Sequence, residues 1–385
     1  MEDFLFLQDD FTPEERLIRD EVRRFVDRDV IPIMADAYET AQFPQQFIPQ
    51  CAALGLLSLK LPIEYGGSGR SAIAYGLVCQ ELERGDSALR SFISVQNALC
   101  MFPIFTFGSE AQKQKFLPKM AAGKLIGCFG LTEPDAGSDP SSLRTQAKKV
   151  SGGWLLNGVK RWVTNGTIAD CAIIWAHTVE GIRGFIVEKD FPGCTRQEIK
   201  KKMSLRASIS AELFFKDCFV PESHYLPGTE IGLVAALHCL TEARYGIAWG
   251  AIGSAMACYE IALDYCKKRM QFNRPLASFQ LVQKDLVTMF LEIQKALCLN
   301  LQLGRLKERG QCTYPMVSLA KLNACREALK IARMARNLLG ANGITSEYAV
   351  IRHMINLESV FTYEGTDNIH HLIVGKYITG LDAFC

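Results

Sequence analysis

The sequence predicts a three-part α+β chain: an all-α N-terminal domain, a central antiparallel β-barrel or sandwich, and a C-terminal antiparallel helix bundle. Three observations lead there. Apolar residues recur at helical spacing up to about residue 125. From about residue 126 they give way to short β-rich runs separated by turn residues, and after Pro227-Gly228 helical spacing returns and persists. The domains are therefore expected at 1–125, 126–228 and 229–385. Strands without intervening helices argue against a doubly wound sheet.

Each element has a local reason. Thr12-Pro13-Glu14-Glu15 combines an N-cap threonine, a proline at the first helical position and a capping-box glutamate, and Leu17, Ile18, Val22, Phe25 and Val26 follow on one face. Ile31-Pro32 is expected to end that helix. Further helices are expected near 44–55, 72–84, 86–101 and 109–122, divided by breaks such as Tyr65-Gly66-Gly67-Ser68-Gly69. In the central part, Trp154-Leu155-Leu156 leads into Asn157-Gly158, a hairpin signal. Runs at 171–175 and 184–187 have strand length, and Leu213-Phe214-Phe215 leads toward Val220-Pro221. The last part holds a proline-free stretch at 233–269 and long helical segments at 279–309 and 315–339, the last stopping at Gly340-Ala341-Asn342-Gly343. Long helices with broad apolar faces need partners, hence a bundle. Gly246, Gly250 and Gly253 inside the first of these each cost about 1 kcal/mol relative to alanine. Something must approach closely there, a neighbouring helix or a ligand.

Composition excludes several functions. Of 385 residues, 43 are Lys or Arg and 41 Asp or Glu, a net charge of +2, and 49% are hydrophobic. A nucleic-acid binder would show a basic excess, and a disordered chain few apolar residues. The fourteen cysteines include no C-x-x-C pair and sit mostly among apolar neighbours, so they read as reduced thiols. The N-terminus is acidic, without the basic start of a secretory signal. No apolar run approaches the roughly 18 residues of a membrane span. The expectation is a soluble, intracellular protein, cytoplasmic in a bacterium or in the mitochondrial matrix as a mature eukaryotic form. Phosphate-loop, H-E-x-x-H and G-x-G-x-x-G motifs are absent, and six histidines form no convincing metal cluster, so no metal is expected.

Three segments carry candidate chemistry. Cys128-Phe129-Gly130-Leu131-Thr132-Glu133-Pro134-Asp135-Ala136-Gly137-Ser138-Asp139 offers glycines, hydroxyls and amides to a flat or anionic ligand, or is a connecting loop. Arg161-Trp162-Val163-Thr164 places an aromatic ring and a hydroxyl two residues apart. On a strand they share a face and hold a ring system, unless Trp162 only packs on its neighbours. In Phe361-Thr362-Tyr363-Glu364-Gly365-Thr366, a glutamate between an aromatic and a glycine is a general base if desolvated and a solvated carboxylate if not.

In this order and spacing, these segments together with Arg269-Met270-Gln271-Phe272 and Leu339-Gly340-Ala341-Asn342-Gly343 resemble the acyl-CoA dehydrogenase family across essentially the whole chain. The resemblance implies a C-terminal four-helix bundle, FAD between the β domain and the C-terminal helices, and a homotetramer built as a dimer of dimers. It implies that Phe129, Leu131, Thr132, Gly137, Ser138, Trp162, Val163 and Thr164 bind the flavin and pyrophosphate, with Ser138 also near the substrate. Arg269, Phe272, Gln280, Asn337, Leu338, Leu339, Gly340, Ala341, Thr366 and Asn368 would complete the FAD contacts, Arg269, Gln280 and 337–341 on the neighbouring subunit's FAD. Glu242, Arg244, Tyr245, Tyr363 and Gly365 would contact the acyl-CoA, and Glu364 would be the base that removes its α-proton. Electrons would pass to an electron transfer flavoprotein.

Within the family, Glu83-Arg84-Gly85-Asp86-Ser87, Arg90-Ser91, Ser94-Val95-Gln96, Ser204-Leu205-Arg206-Ala207-Ser208 and 244–249 resemble the glutaryl-CoA dehydrogenase branch. That resemblance implies that Arg90 and Ser91 hold a distal carboxylate, which is costly to bury unpaired. Glu83 would join the hydrogen-bonding network around decarboxylation. Ala341 in place of a second glycine and Asp367-Asn368 in place of His-Asp depart from the pattern. Rival readings are a dehydrogenase of short or branched monocarboxylic acyl-CoA, a non-catalytic flavin-binding scaffold, and an oxidase that uses dioxygen.

Overall fold

The computed structural model describes residues 3–384. The N-terminal part contains α1 (Pro13–Phe25), α2 (Ile31–Thr40), α3 (Phe47–Ala53), α4 (Ala72–Gly85), α5 (Ser87–Ser94), α6 (Phe102–Phe107) and α7 (Glu110–Ala121). The capping box at Thr12 forms, with Glu15 answering the Thr12 amide. Pro32, however, does not end the first helix. A π-helical segment over Val26–Val30 joins α1 to α2, and a second, Val95–Met101, joins α5 to α6 ahead of Pro103. A proline lacks the amide for a regular i to i−4 bond and crowds the preceding turn; a wider turn lets the chain remain helical.

The central sheet comprises β1 (Gly127–Gly130), β2 (Gln146–Val150), β3 (Gly153–Thr164), β4 (Cys171–Thr178), β5 (Gly181–Glu188), β6 (Cys194–Glu198) and β7 (Ser210–Pro221), in the order β1-β4-β2-β3-β7-β6 with β5 on β4. The β2–β3, β3–β7, β6–β7 and β4–β5 pairs are antiparallel, as expected. The sheet is mixed all the same: β1 runs parallel to β4, and β2 touches β4 in parallel. Asn157-Gly158 is not the hairpin turn. It lies inside β3 at a register shift against β7, where the Asn157 amide exchanges hydrogen bonds with Asp217 and a Cβ at Gly158 would strike Thr145. The β2–β3 turn falls at Ser151-Gly152.

The third part holds α8 (Leu233–Lys268), a hairpin of β8 (Met270–Gln271) and β9 (Arg274–Pro275), α9 (Gln280–Glu308), α10 (Tyr314–Leu338), α11 (Val350–Thr362) and α12 (Asp367–Thr379). Three helical stretches, Ser87–Phe107, α8 and α9, are long and apolar enough to cross a membrane, contrary to the sequence reading. The first two are 83% buried within the protein, so their apolar faces are covered by it. The N-terminal and C-terminal helices share one core, in which Ile73, Leu77 and Leu89 pack with Trp249, Ile252, Ala320 and Val360. The close approach marked by Gly246, Gly250 and Gly253 is made by α4: added Cβ atoms would meet Tyr75, Glu83 and the Gln80 carbonyl. Side chains would force α4 away, so the glycines keep the two helices in contact.

Ser204-Leu205-Arg206 is the point where the three parts are tied. Arg206 donates to the carbonyls of Tyr38 and Glu39, the Leu205 amide donates to Asn356 Oδ1 at 2.8 Å, and the Ser204 and Ser359 hydroxyls lie 2.6 Å apart. Inside the helical core, Asp86 accepts from Arg352 at 2.9 Å. Thirteen of the cysteines are described, and all are free thiols, most of them buried.

Candidate active site

The turn between α11 and α12 is short because the sequence caps both ends. The Tyr363 amide closes α11 on Ser359, and Thr366 Oγ1 accepts from the Ile369 amide to start α12. Between them, Glu364 has φ +52° and Gly365 φ +100°. The left-handed region costs a residue with a Cβ about 1–2 kcal/mol, so the surroundings must hold Glu364 there. They do so through three consecutive carbonyls: Lys321 Nζ donates to Tyr363 O at 2.5 Å and to Gly365 O at 2.7 Å, and Arg244 Nε donates to Glu364 O at 2.7 Å.

The Glu364 Oε2 atom is enclosed and has no hydrogen-bond partner. Burial pushes its carboxyl up, against the pull of Arg90, Lys321 and Arg244. A carboxylate in that state accepts a proton readily and has a free lone pair to do it with. Burial also lowers Lys321, to about 8. His370 is buried beside Gly365, and burial, aided by Lys321 and Arg244 and opposed by the Gly365 backbone, lowers its ring to about 2.

Arg90 lies beside this turn. It is 1% exposed, its Nε meets Glu83 Oε2 at 2.5 Å, Nη2 donates to the Tyr363 hydroxyl, and Ser87 donates to the other Glu83 oxygen at 2.9 Å. Arg90, Arg244 and Lys321 thus face two carboxylates, Glu83 and Glu364, which leaves room for one further negative charge. Ser91 is buried next to Arg90 on α5. Not every expected acyl-CoA contact is free. Tyr245 is fully buried, with its hydroxyl on Ala72 O and its ring stacked on Tyr75. The Glu242 carboxylate is shared by Lys60 and Lys307; burial alone would raise it, but the two ammonium groups hold it at about 2.

On the β domain, the Leu131–Asp139 loop and the end of β3 are brought together. The Arg161 amide donates to Thr132 O at 2.8 Å, and Glu133, 6% exposed, accepts from the Arg144 and Thr145 amides and from Lys160 Nζ at 2.7 Å. Lys160 also donates to Leu131 O. Trp162, Val163 and Thr164 alternate exposed, buried and half-buried, although Trp162 has φ +59° at a bulge. Trp162 is 54% exposed, Ser138 is exposed and Gly137 borders open space. An uncovered indole beside hydroxyls and glycine-flanked amides suits a flat heterocycle joined to phosphates. A cavity of about 250 Å³ elsewhere, lined by Leu77, Gln80, Trp249 and Gln294, lies apart from Glu364, Arg90 and the β-domain segments.

Three family descriptions divide the chain among them: the acyl-CoA dehydrogenase N-terminal domain over 12–124, the middle domain over 128–218 and the C-terminal domain over 230–379. The chain belongs to the acyl-CoA dehydrogenase family. Two solved structures of glutaryl-CoA dehydrogenase from Mycobacterium smegmatis resemble it over 100% of this chain and 99% of theirs, both with TM-score 0.98. They are 51% and 47% identical, the second being a complex with FADH2. The human short-chain specific acyl-CoA dehydrogenase is 33% identical, over 92% of this chain and 88% of its own length.

The other residues that the family pattern singles out lie at the outer ends of the bundle. Arg269 follows α8, Phe272 is 87% exposed at the tip of the β8–β9 hairpin, and Gln280 opens α9. In the 337–341 segment, Asn337, Gly340 and Ala341 are exposed and Leu338 half-buried, but Leu339 is 1% exposed and packs inward, so only its backbone is open to a neighbour. Thr366 is a helix cap and Asn368 is exposed beside it. Sequence reasoning missed Lys321, His370 and the Glu133–Lys160 pair. A signal for Lys321 existed: Val317, Ala320, Ala324 and Ala328 form a buried stripe, and Lys321 lies on it.

Proposed function

We propose that this chain is an FAD-dependent dehydrogenase of glutaryl-CoA that converts its substrate to crotonyl-CoA and CO2. The observation that carries the reading is Arg90, enclosed beside the Glu364 turn with a hydroxyl and a carboxylate as partners. A buried guanidinium still has donors to spare for the distal carboxylate of a dicarboxylic acyl chain.

The chain's own residues have distinct parts in the reaction. Glu364, raised in pKa and with Oε2 unpartnered, takes the α-proton. Its backbone N–H faces the thioester oxygen as charge develops there. Thr132, Gly137, Ser138, Trp162 and Thr164 would hold FAD, which would supply a two-electron acceptor for the β-hydride. The α,β-double bond then places the distal carboxylate on the γ-carbon. Loss of CO2 leaves an electron pair delocalised into the thioester, and a returning proton yields crotonyl-CoA. Glu83, Arg90 and Tyr363 orient the departing carboxylate, and the enclosed surroundings of Glu364 keep water from the reacting atoms.

A second reading, a dehydrogenase of short monocarboxylic acyl-CoA, draws on the 2.5 Å Glu83 contact, which already balances Arg90. On either reading the natural electron acceptor is an electron transfer flavoprotein. The exposed apolar side chains Met270, Phe272, Leu281, Val287 and Leu291 support association into a homotetramer through the β8–β9 and α9 face.

Anaerobic addition of glutaryl-CoA and butyryl-CoA to the purified flavoprotein separates the readings. Strong bleaching of the oxidised flavin band by glutaryl-CoA, weak bleaching by butyryl-CoA and release of CO2 on turnover support the first. Equal bleaching supports the second. Glu364→Gln should keep the yellow colour and lose the bleaching; a variant that still bleaches refutes Glu364 as base.

A further inference from the structure

Lys321 is 1% exposed on the inward face of α10, yet no carboxylate hydrogen-bonds to it. A buried ammonium ordinarily needs such a partner. Here its partners are the carbonyls of Tyr363 and Gly365, the residues on either side of Glu364. Arg244 takes the carbonyl between them. Two cations from different helices therefore grip the one turn in which the base adopts a left-handed conformation. The same turn carries Tyr363, whose hydroxyl accepts from Arg90, so its backbone links the base to the end of the acyl site.

We propose that Lys321 is a positioning residue for the base: its ammonium fixes the peptide units around Glu364, and so sets where the carboxylate stands relative to the acyl α-carbon. This rests on the dehydrogenase reading above. The positive charge strengthens both bonds, and loss of the Lys321 proton leaves two weaker N–H donors for the two carbonyls. The groups that face it are Arg244 from α8, Arg90 from α5, Glu364 from the turn, His370 from α12 and Cys325 from α10, with Asp367 beyond Cys325. Glu364 and Cys325 favour the ammonium, Arg244 and Arg90 oppose it, and burial lowers it most, to about 8. Turnover should therefore decline as pH rises through that region.

The test compares the native FAD-loaded protein with Lys321→Arg and Lys321→Met, using glutaryl-CoA. Native kcat should fall above about pH 8. Lys321→Arg, which retains its proton, should move that fall to higher pH while keeping kcat within about tenfold of native. Lys321→Met should lose about 100-fold in kcat, the scale of a misplaced catalytic group. Calorimetric binding of glutaryl-CoA, measured in a Glu364→Gln background, should change less than about threefold on adding Lys321→Met. Native kcat that is flat from pH 7 to 9 overturns the proposal, as does an alkaline fall unmoved by Lys321→Arg, methionine turnover near native, or loss of binding in parallel with kcat. If the methionine variant does not fold, the native and arginine profiles still decide. A native protein that no acyl-CoA bleaches refutes the parent reading, whereas native turnover with an indifferent methionine variant refutes only the role of Lys321.

Discussion

Glu83 and Arg90 meet at 2.5 Å with both side chains essentially excluded from water, against Gly250, where a Cβ would collide with the Glu83 carboxylate. The pair lies at the seam of α4, α5 and α8, so helix packing and, on the proposed reading, acyl recognition depend on the same few atoms. Removing one member outright would leave the other charge buried and alone, at about 3–5 kcal/mol. A useful variant must keep the charge.

Arg90→Lys does so but gives up the planar fork that serves Glu83 and Tyr363 together. Loss of a charged hydrogen bond at about 1.5–3 kcal/mol corresponds to a roughly 10- to 100-fold lower kcat/KM for glutaryl-CoA. Butyryl-CoA has no distal carboxylate and should lose much less. The ratio of the two, from steady-state kinetics, is the readout; an equal loss would assign Arg90 to the fold alone.

As the proposed base, Glu364 must be ionised to act, and burial raises its carboxyl above the ordinary value of 4.5. The acid limb of kcat/KM should therefore fall above that value, with activity lost as pH drops through it. A limb at or below 4.5 would show that the protonated fraction of Glu364 does not limit the rate.

Lys160 and Glu133 are buried together at 2.7 Å beneath the Leu131–Asp139 loop. Burial would raise Glu133, but Lys160 and the Thr145 and Arg144 groups hold it low, while burial brings Lys160 down to about 8. Lys160→Met should cost about 3–5 kcal/mol in stability and loosen the loop. Urea titration with and without added FAD measures both effects; unchanged stability would mean that the loop holds its shape without the pair.

His353, buried between α11 and α8 with Nδ1 near the Ser254 hydroxyl, is pushed down to about 3 by burial and by Arg352 and Arg84. The unfolded chain protonates this histidine below about 6.5, whereas the native state stays neutral until about pH 3. The native state binds fewer protons in that window, so stability is full above it and declines as pH falls through it. Melting temperature should drop between pH 7 and 5, and less steeply in His353→Gln. Parallel slopes would place the acid sensitivity on other groups.

The α, β, α order, most helix positions and the chain turn around Glu364 were legible in the sequence because they rest on local causes: spacing of apolar residues, caps, and a glutamate set before glycine. Where a local signal was ambiguous, tertiary context decided. Pro32 became part of a helix because π turns absorb it, and Asn157-Gly158 became a bulge because β7 pairs across it. The glycines of α8 called for a close neighbour, a helix or a ligand, and α4 is what covers them. The charge state of Glu364 and the grip of Lys321 belong wholly to tertiary structure. They arise where residues 90, 244, 321 and 364, far apart in the chain, share one poorly solvated volume. Sequence names the groups, but burial and distance set what each can do.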